Sequence, residues 1–226
     1  MKKNRFHLLV ESVCRFIFLF CSMGALLFLS AGTLQFASGW IAICILFAPA
    51  LISGLFFFFR NPEMLNKRVR HREQDPRQQK LVFLCAVVFA SGLVAAGLSF
   101  RFSFLCLPVF CLPIGAVSFI SSMIVYCLAY SANPFLSKAV LVQDKQFVVD
   151  TGIYGKIRHP YYLATCLLYF AISLALNSVI SFCVFLLFIP LLFRRISYEE
   201  EYLKKELPGY AEYLIKVPYR IIHGVW

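Results

Sequence analysis

Charged residues are scarce in this sequence, and several long stretches contain none. Only 15% of the 226 residues are charged, whereas 61% are hydrophobic. A water-soluble domain of this length does not bury so much apolar surface. The charge-free stretches 16–59 and 161–193 therefore predict an integral membrane protein whose main solvent is the lipid bilayer.

Acidic residues are the rarer of the two signs. The chain has 22 Lys and Arg but 11 Asp and Glu, which gives a formal net charge of +11. The basic residues cluster in a few loops, and no recognised RNA- or DNA-binding motif accompanies them. The excess is therefore interpreted as a membrane-topology signal, and no nucleic acid is expected among the partners.

The usual catalytic and metal-binding motifs are also missing. The sequence has no glycine-rich phosphate loop, no HExxH and no GxSxG. Its nine cysteines form no CxxC pair, and no histidine lies at ligand spacing from one of them. We predict that the protein binds no metal and that the cysteines act as small apolar residues.

The charge-free stretches 16–59 and 161–193 are each too long for one membrane span. As helices they would measure about 66 Å and about 50 Å, against a bilayer core of about 30 Å. Turn-forming residues lie at Gly32–Gly39 in the first stretch, and Asn177-Ser178 interrupts the second. Each stretch is predicted to form two spans that return the chain to the side from which it came.

Two further spans are predicted between these hairpins, at 81–100 and within 102–137. Pro108 and Pro113 are expected to kink the first half of the latter. The predicted fold class is therefore an all-α polytopic membrane protein with six transmembrane helices, the last two forming a C-terminal helical hairpin.

The distribution of basic residues predicts the orientation. They precede the first span and recur in the segments 60–80 and 138–158 and after Phe193. With six spans these four segments share one side of the membrane, and Arg101 is the only basic residue in the loops of the other side. The positive-inside rule then places both termini in the cytoplasm.

The segment 140–149 has a different character. Two short β-prone runs flank Asp144-Lys145, which predicts an extended hairpin at the cytoplasmic face. A plain loop is the alternative.

A first polar cluster surrounds His159. Pro160 suits the first turn of a helix, so His159 is expected at the start of the fifth span, near unpaired backbone N–H groups. An interfacial anchor, with Tyr161 and Tyr162 as an aromatic belt, is the alternative.

A second polar cluster contains Arg195 and Glu199. Their i, i+4 spacing puts both on one face of a helix. A surface ion pair is the alternative interpretation. If the hairpin forms, this cluster meets His159 at one membrane face, where ionisable residues are costly and usually functional.

Three spaced elements follow one another in the C-terminal part of the chain. They are Gly152-Ile153-Tyr154-x-x-x-Arg158-His159-Pro160-x-Tyr162, Arg195-x-x-x-Glu199-Glu200-x-x-Leu203 and Leu207-Pro208-Gly209-Tyr210-x-x-Tyr213. In this order they resemble the isoprenylcysteine carboxyl methyltransferase (ICMT) family of integral membrane methyltransferases. The ending Tyr219–Trp226 looks like the tail of its bacterial members, and the detailed likeness covers 143–226.

The resemblance implies an enzyme that uses S-adenosylmethionine in a cytoplasmic cofactor pocket, in a bacterial inner (plasma) membrane. Residues 1–137 would supply four spans, and 138–226 would be the catalytic region. Arg195 would bind the substrate and form the catalytic pair with Glu199. The implied cofactor-binding residues are Gln143, Gln146, Val148, Val149, Tyr154, His159, Pro160, Tyr161, Tyr162 and Glu199.

The methyl acceptor stays open at this point. It is lipophilic or small, and a carboxylate, a phospholipid amine and a thiol are all compatible with the resemblance. Ile153 departs from the proline that many members carry there. Two other classes compete with a methyltransferase: an NADPH-dependent membrane reductase of the sterol-reductase type, whose ending resembles 217–222, and a non-catalytic membrane protein.

Overall fold

The computed structural model describes residues 2–60, 66, 73, 75–137 and 139–226, the first five of them by their backbone alone. This part of the chain is all-helical and contains no β-strand. Its helices are α1 (Lys2–Ala31), α2 (Ala37–Arg60), α3 (Pro76–Arg101), α4 (Cys111–Ala132), a 3-10 helix (Gly152–Gly155), α5 (Pro160–Ala175), α6 (Val179–Leu186), α7 (Phe188–Glu206) and α8 (Tyr210–Lys216).

Five of the described helices are long and apolar enough to cross a membrane: α1, α2, α3, α4 and the unit Val179–Glu206 that α6 and α7 form together. Helix α5 has 16 residues, so the predicted fifth span is a shorter apolar helix. Large apolar side chains such as Leu29 and Phe59 are exposed on the outer surface, where only lipid would accept them. The prediction of an all-α polytopic membrane protein is confirmed.

Both predicted interruptions are present. Gly32 ends α1 with a φ of 73°, a left-handed conformation that glycine adopts without a steric penalty. In the second stretch, Asn177 has a φ of 52° and the Ser178 side chain accepts a hydrogen bond from Ser181 N at 3.1 Å, which caps α6. The chain therefore turns back between α5 and α6.

The proline prediction for α4 is wrong. This helix begins at Cys111, so Pro108 lies before it, and Pro113 is in its first turn, where a missing N–H group is tolerated. The interruption occurs instead at Leu187, between α6 and α7. Pro190 follows three residues later and has no N–H group to donate to the carbonyl four residues before it. The sequence Asn61-Pro62 predicts the end of the second span, and these two residues lie outside the described part of the chain.

The segment 140–149 is a loop, so the extended-hairpin prediction is wrong and the alternative applies. A turn forms where Gln146 N donates to Gln143 O at 3.1 Å, and Lys145 has a φ of 57°. The flanking apolar residues do not pair with each other. Val148 packs instead on a buried cluster that contains Leu207 and Tyr210.

Helices α4 and α5 are joined by hydroxyl groups. Ser118 Oγ donates to Leu167 O at 2.8 Å, and Ser122 Oγ donates to Ala164 O at 2.7 Å. Gly115 allows close approach, since a Cβ atom there would lie 3.2 Å from Leu174 Cβ. Because lipid gives no hydrophobic driving force between helices, small residues and hydrogen bonds of this kind hold α5 in place.

The second arm of the hairpin is fastened to α3. Ser181 Oγ donates to Gly92 O at 2.8 Å, and Ser178 Oγ donates to Ser99 Oγ at 2.7 Å. All four residues are buried in helices or at their ends. These contacts keep the start of α6 against α3, so the hairpin is a fixed part of the bundle.

We predict that Gly97→Ala destabilises the protein. A Cβ atom at Gly97 in α3 would lie 2.7 Å from Leu27 O and 2.9 Å from Ala31 N, and the α1 backbone must then move. Overpacking of this kind costs about 1–3 kcal/mol. Gly54→Ala is the matched control, because a Cβ atom there meets nothing within 4 Å. Thermal unfolding in detergent measures both variants, and equal midpoints would contradict the packing of α1 on α3.

Membrane orientation gives a second test. A reporter fused after Trp226 and one inserted at residue 66 are expected on the same, cytoplasmic side. The reason is that four of the predicted spans, an even number, lie between these two positions. Accessibility of the two reporters in intact and permeabilised cells measures this. Reporters on opposite sides would rule out the hairpin.

Candidate functional site

A cavity of about 740 Å³ lies between the hairpin, the loop 139–149 and α8. This size is typical of small-molecule sites. One part of its wall is polar and contains Arg158, His159, Arg195 and Glu199. The remainder is apolar and is contributed by several spans, with Leu46, Val82, Phe89, Leu168, Phe188 and Leu192 among the lining residues. Such a cavity suits a ligand that has a polar end and an apolar end.

Most of the residues implied by the resemblance meet in this cavity. Gln143 and Pro160 do not line it. The Gln143 amide turns back and donates to Phe135 O, and Pro160 is buried at the start of α5. Both support the wall from behind. Those that line it are Gln146, Val148, Val149, Tyr154, His159, Tyr161, Tyr162, Arg195 and Glu199.

Tyr162 joins the two arms of the hairpin. Its hydroxyl accepts a hydrogen bond from Arg195 Nε at 3.0 Å and donates one to Glu199 Oε2 at 2.5 Å. Arg195 is 8% exposed. The two residues are therefore not a solvent-exposed ion pair. They belong to a buried chain of hydrogen bonds that runs from α7 to α5 and back.

Glu200 is the centre of a second buried cluster. Its Oε1 lies 2.8 Å from Arg158 Nε and 3.1 Å from His159 Nε2, and its Oε2 lies 2.7 Å from Arg220 Nη2. The Glu200 side chain is 7% exposed. The His159 ring is located at the start of α5, as predicted, but it is turned to Glu200 and makes no cap bond to the helix.

The C-terminal segment closes this cluster through its backbone. Arg158 N donates to Tyr219 O at 2.9 Å, and His159 N donates to Arg220 O at 2.8 Å. Arg158 Nη1 also donates to Val217 O at 2.7 Å. The segment that carries the predicted site residue His159 is thus held from both sides, by Glu200 and by the tail.

Three successive glutamates have three different environments. Glu199 faces Tyr162 in the cavity, Glu200 is buried among basic residues, and Glu201 is exposed and contacts Lys205 at 2.9 Å. The 100° rotation between neighbouring helical residues explains the difference. Sequence reasoning missed Glu200, and its position in the Arg195-x-x-x-Glu199-Glu200 motif was the available signal.

Three phenols lie near the cavity outside the membrane spans. Burial raises the pKa of Tyr154, Tyr210 and Tyr213 above the ordinary value of tyrosine. Tyr213 Oη donates to Tyr154 O at 2.7 Å. All three side chains are therefore neutral at physiological pH, and they give the cavity aromatic surface without charge.

Metal-ligand residues do not gather in the described part of the chain. No group of three or more His, Cys, Asp or Glu side chains comes together there. The polar chemistry of the cavity thus lies in arginine, glutamate, histidine and tyrosine side chains.

Fold and site together define an all-helical membrane protein whose cavity has a polar part and a larger apolar part. Residues 113–205 match the model of the isoprenylcysteine carboxyl methyltransferase (ICMT) family. The match confirms the resemblance to this family over that segment, and it supports a membrane methyltransferase. No curated protein matches the chain.

We predict that Glu200→Gln is strongly destabilising. The change removes the charge that compensates Arg158, whose side chain is 8% exposed, and losing one partner of a buried ion pair costs about 3–5 kcal/mol. Glu201→Gln is the control, and as a surface change it should stay within about 0.5 kcal/mol of wild type. Thermal unfolding measures both. Equal midpoints for the two variants would contradict the role of Glu200.

Proposed function

We propose that this protein transfers a methyl group from S-adenosylmethionine to a lipophilic or small acceptor at the cytoplasmic face of a bacterial inner membrane. The observation that carries the proposal is the Arg195–Tyr162–Glu199 chain, which lies inside the family-matched segment and faces a cavity that changes from charged to apolar. The acceptor presents a carboxylate, a phospholipid amine or a thiol.

The residues of the polar end fit the cofactor chemically. Glu199 offers a carboxylate beside aromatic rings, and aromatic faces attract cations such as a sulfonium. When bound, S-adenosylmethionine supplies an activated methyl group. The residues that would hold it are Gln146, Val148, Val149, Tyr154, His159, Tyr161, Tyr162 and Glu199, with Gln143 and Pro160 behind them.

Arg195 is the acceptor-binding residue in this proposal. Its guanidinium presents donors in a rigid fork, which suits a planar anionic group such as a carboxylate. Tyr162 holds its Nε, so the guanidinium keeps a fixed orientation. The apolar wall would take the lipophilic part of the acceptor from the bilayer side and exclude water from the reacting groups.

Glu199 is the better-placed base if the acceptor is an amine or a thiol. It lines the cavity, whereas His159 directs its Nε2 to Glu200. A carboxylate acceptor needs no base, because it is already a nucleophile. The Tyr162 hydroxyl keeps Glu199 in its place in either case.

Calorimetric titration of the detergent-purified protein tests the proposal. We expect S-adenosylmethionine and S-adenosylhomocysteine to bind with micromolar to millimolar affinity, in the range of roughly 1 μM to 1 mM common for enzyme ligands. Glu199→Ala should weaken binding about tenfold or more, since one hydrogen bond to a charged group is worth about 1.5–3 kcal/mol. His159→Ala should also weaken binding, because the ring forms part of the cavity wall. Arg195→Lys should retain cofactor affinity and lower turnover.

The control for these variants is Glu201→Gln, which changes an exposed carboxylate next to the site. NADPH serves as the control ligand. Wild-type affinity in both Glu199→Ala and His159→Ala would refute the site assignment. Binding of NADPH alone would favour the reductase, and no binding of any ligand to folded protein would favour a non-catalytic role.

A further inference from the structure

Glu73 contacts Arg195 from a distant part of the sequence. It precedes α3, and its Oε2 lies 3.5 Å from Arg195 Nη2. The Glu73 side chain is 9% exposed. Burial of a carboxylate is costly unless it is paired, so this contact is a defined part of the structure.

The same carboxylate oxygen also holds the loop that lines the cavity. Val140 N donates to Glu73 Oε2 at 3.1 Å, and both Ala139 and Val140 are in the cavity wall. Glu73 Oε2 therefore contacts both the guanidinium of Arg195 and the backbone of the loop 139–149. Movement of Glu73 would disturb both.

The first turn of α3 supports Arg195 at a second point. Gln78 Nε2 donates to Arg195 O at 3.2 Å, and Gln78 is 1% exposed. The backbone and the side chain of Arg195 are thus each held by a residue that comes from the start of α3. Both of these residues lie outside the family-matched segment 113–205.

We propose that Glu73 is a positioning residue of the methyl-transfer site. It orients the Arg195 guanidinium and tethers the loop 139–149 to it, so that the acceptor group and the cofactor pocket keep one relative geometry. The inference rests on the function proposed above. The alternative is that the Glu73–Arg195 ion pair contributes to stability alone.

Two substitutions separate the two contacts of Glu73. Glu73→Gln keeps an oxygen that accepts from Val140 N but removes the charge beside Arg195, whereas Glu73→Ala removes both. Hydrogen exchange of peptides covering 139–149 should be faster in Glu73→Ala and unchanged in Glu73→Gln. Reaction of Arg195 with phenylglyoxal, followed by mass spectrometry, should be faster in both variants.

Turnover tests whether Glu73 acts through Arg195. The probes are N-acetyl-S-farnesylcysteine, phosphatidylethanolamine vesicles and dodecanethiol, with labelled S-adenosylmethionine. On the probe that wild type methylates, Glu73→Gln should lower kcat about 10-fold to 100-fold, because small misplacements cost this much. Cofactor affinity should change by less than about twofold, and Glu73→Asp should recover part of the loss.

A double-mutant cycle gives the decisive comparison. In the Arg195→Ala background, Glu73→Gln should lower turnover by less than about twofold, since coupled residues are non-additive. The same loss in both backgrounds would overturn the proposal, as would a kcat equal to that of the Glu201→Gln control.

Failure of the proposed function would be distinguishable from failure of this inference. If wild type methylates none of the three probes, the function fails. Hydrogen exchange and Arg195 modification still decide the role of Glu73, because neither needs turnover. Wild-type rates in both measurements for Glu73→Ala would then overturn it.

Discussion

Charged groups at the edge of a lipid bilayer must be paired, and the arrangement of this site follows from that constraint. A buried carboxylate or guanidinium without a partner costs several kcal/mol, and little water is available to compensate. Glu200 therefore contacts the side chains of Arg158, His159 and Arg220. The Tyr162 hydroxyl is hydrogen-bonded to both Arg195 and Glu199. These pairings require α5, α7 and the C-terminal segment to meet at one face of the membrane. The return of the chain at Asn177 is what makes that meeting possible.

Pairing alone does not hold helices together in lipid, and the contacts deeper in the bundle supply the rest. Ser118 and Ser122 donate to carbonyls of α5, and Ser181 donates to the carbonyl of Gly92 in α3. Each bond is local and modest, about 1 kcal/mol or less in membrane proteins. Together with close approach at glycine positions they give the polar end a rigid base, which a site that depends on orientation needs.

The sequence predicted the parts of the fold that depend on solvent and chain length. Stretches without charge exceed one bilayer thickness, so the breaks at Gly32 and Asn177 were predictable from length and turn chemistry alone. The loop 140–149 was not predictable, because its β-prone residues pack against Leu207 and Tyr210 and do not pair with each other. The kink predicted at Pro113 was wrong for a similar reason, because the effect of a proline depends on where the helix begins.

The candidate site was predictable in its motifs and not in its supporting contacts. His159, Arg195 and Glu199 stood out because polar residues beside apolar spans are rare. The contact between His159 and Glu200 was not predictable. Glu199 and Glu200 are neighbours in the sequence, and only their different directions around the helix axis give them different partners. Glu73 lies 122 positions from Arg195, and sequence spacing carries no information about such a contact.

The polar wall of the cavity comes from one part of the chain, whereas the apolar wall is shared between that part and the N-terminal spans. The polar wall belongs to the family-matched segment, as do Tyr162, Arg195 and Glu199. Much of the apolar wall, including Leu46, Val82 and Phe89, comes from α2 and α3, outside that segment. In the proposed function, the polar wall would bind the methyl donor and the apolar wall would fit the acceptor. A match confined to 113–205 supports the type of reaction and leaves the acceptor open, because it omits the part of the apolar wall that α2 and α3 supply.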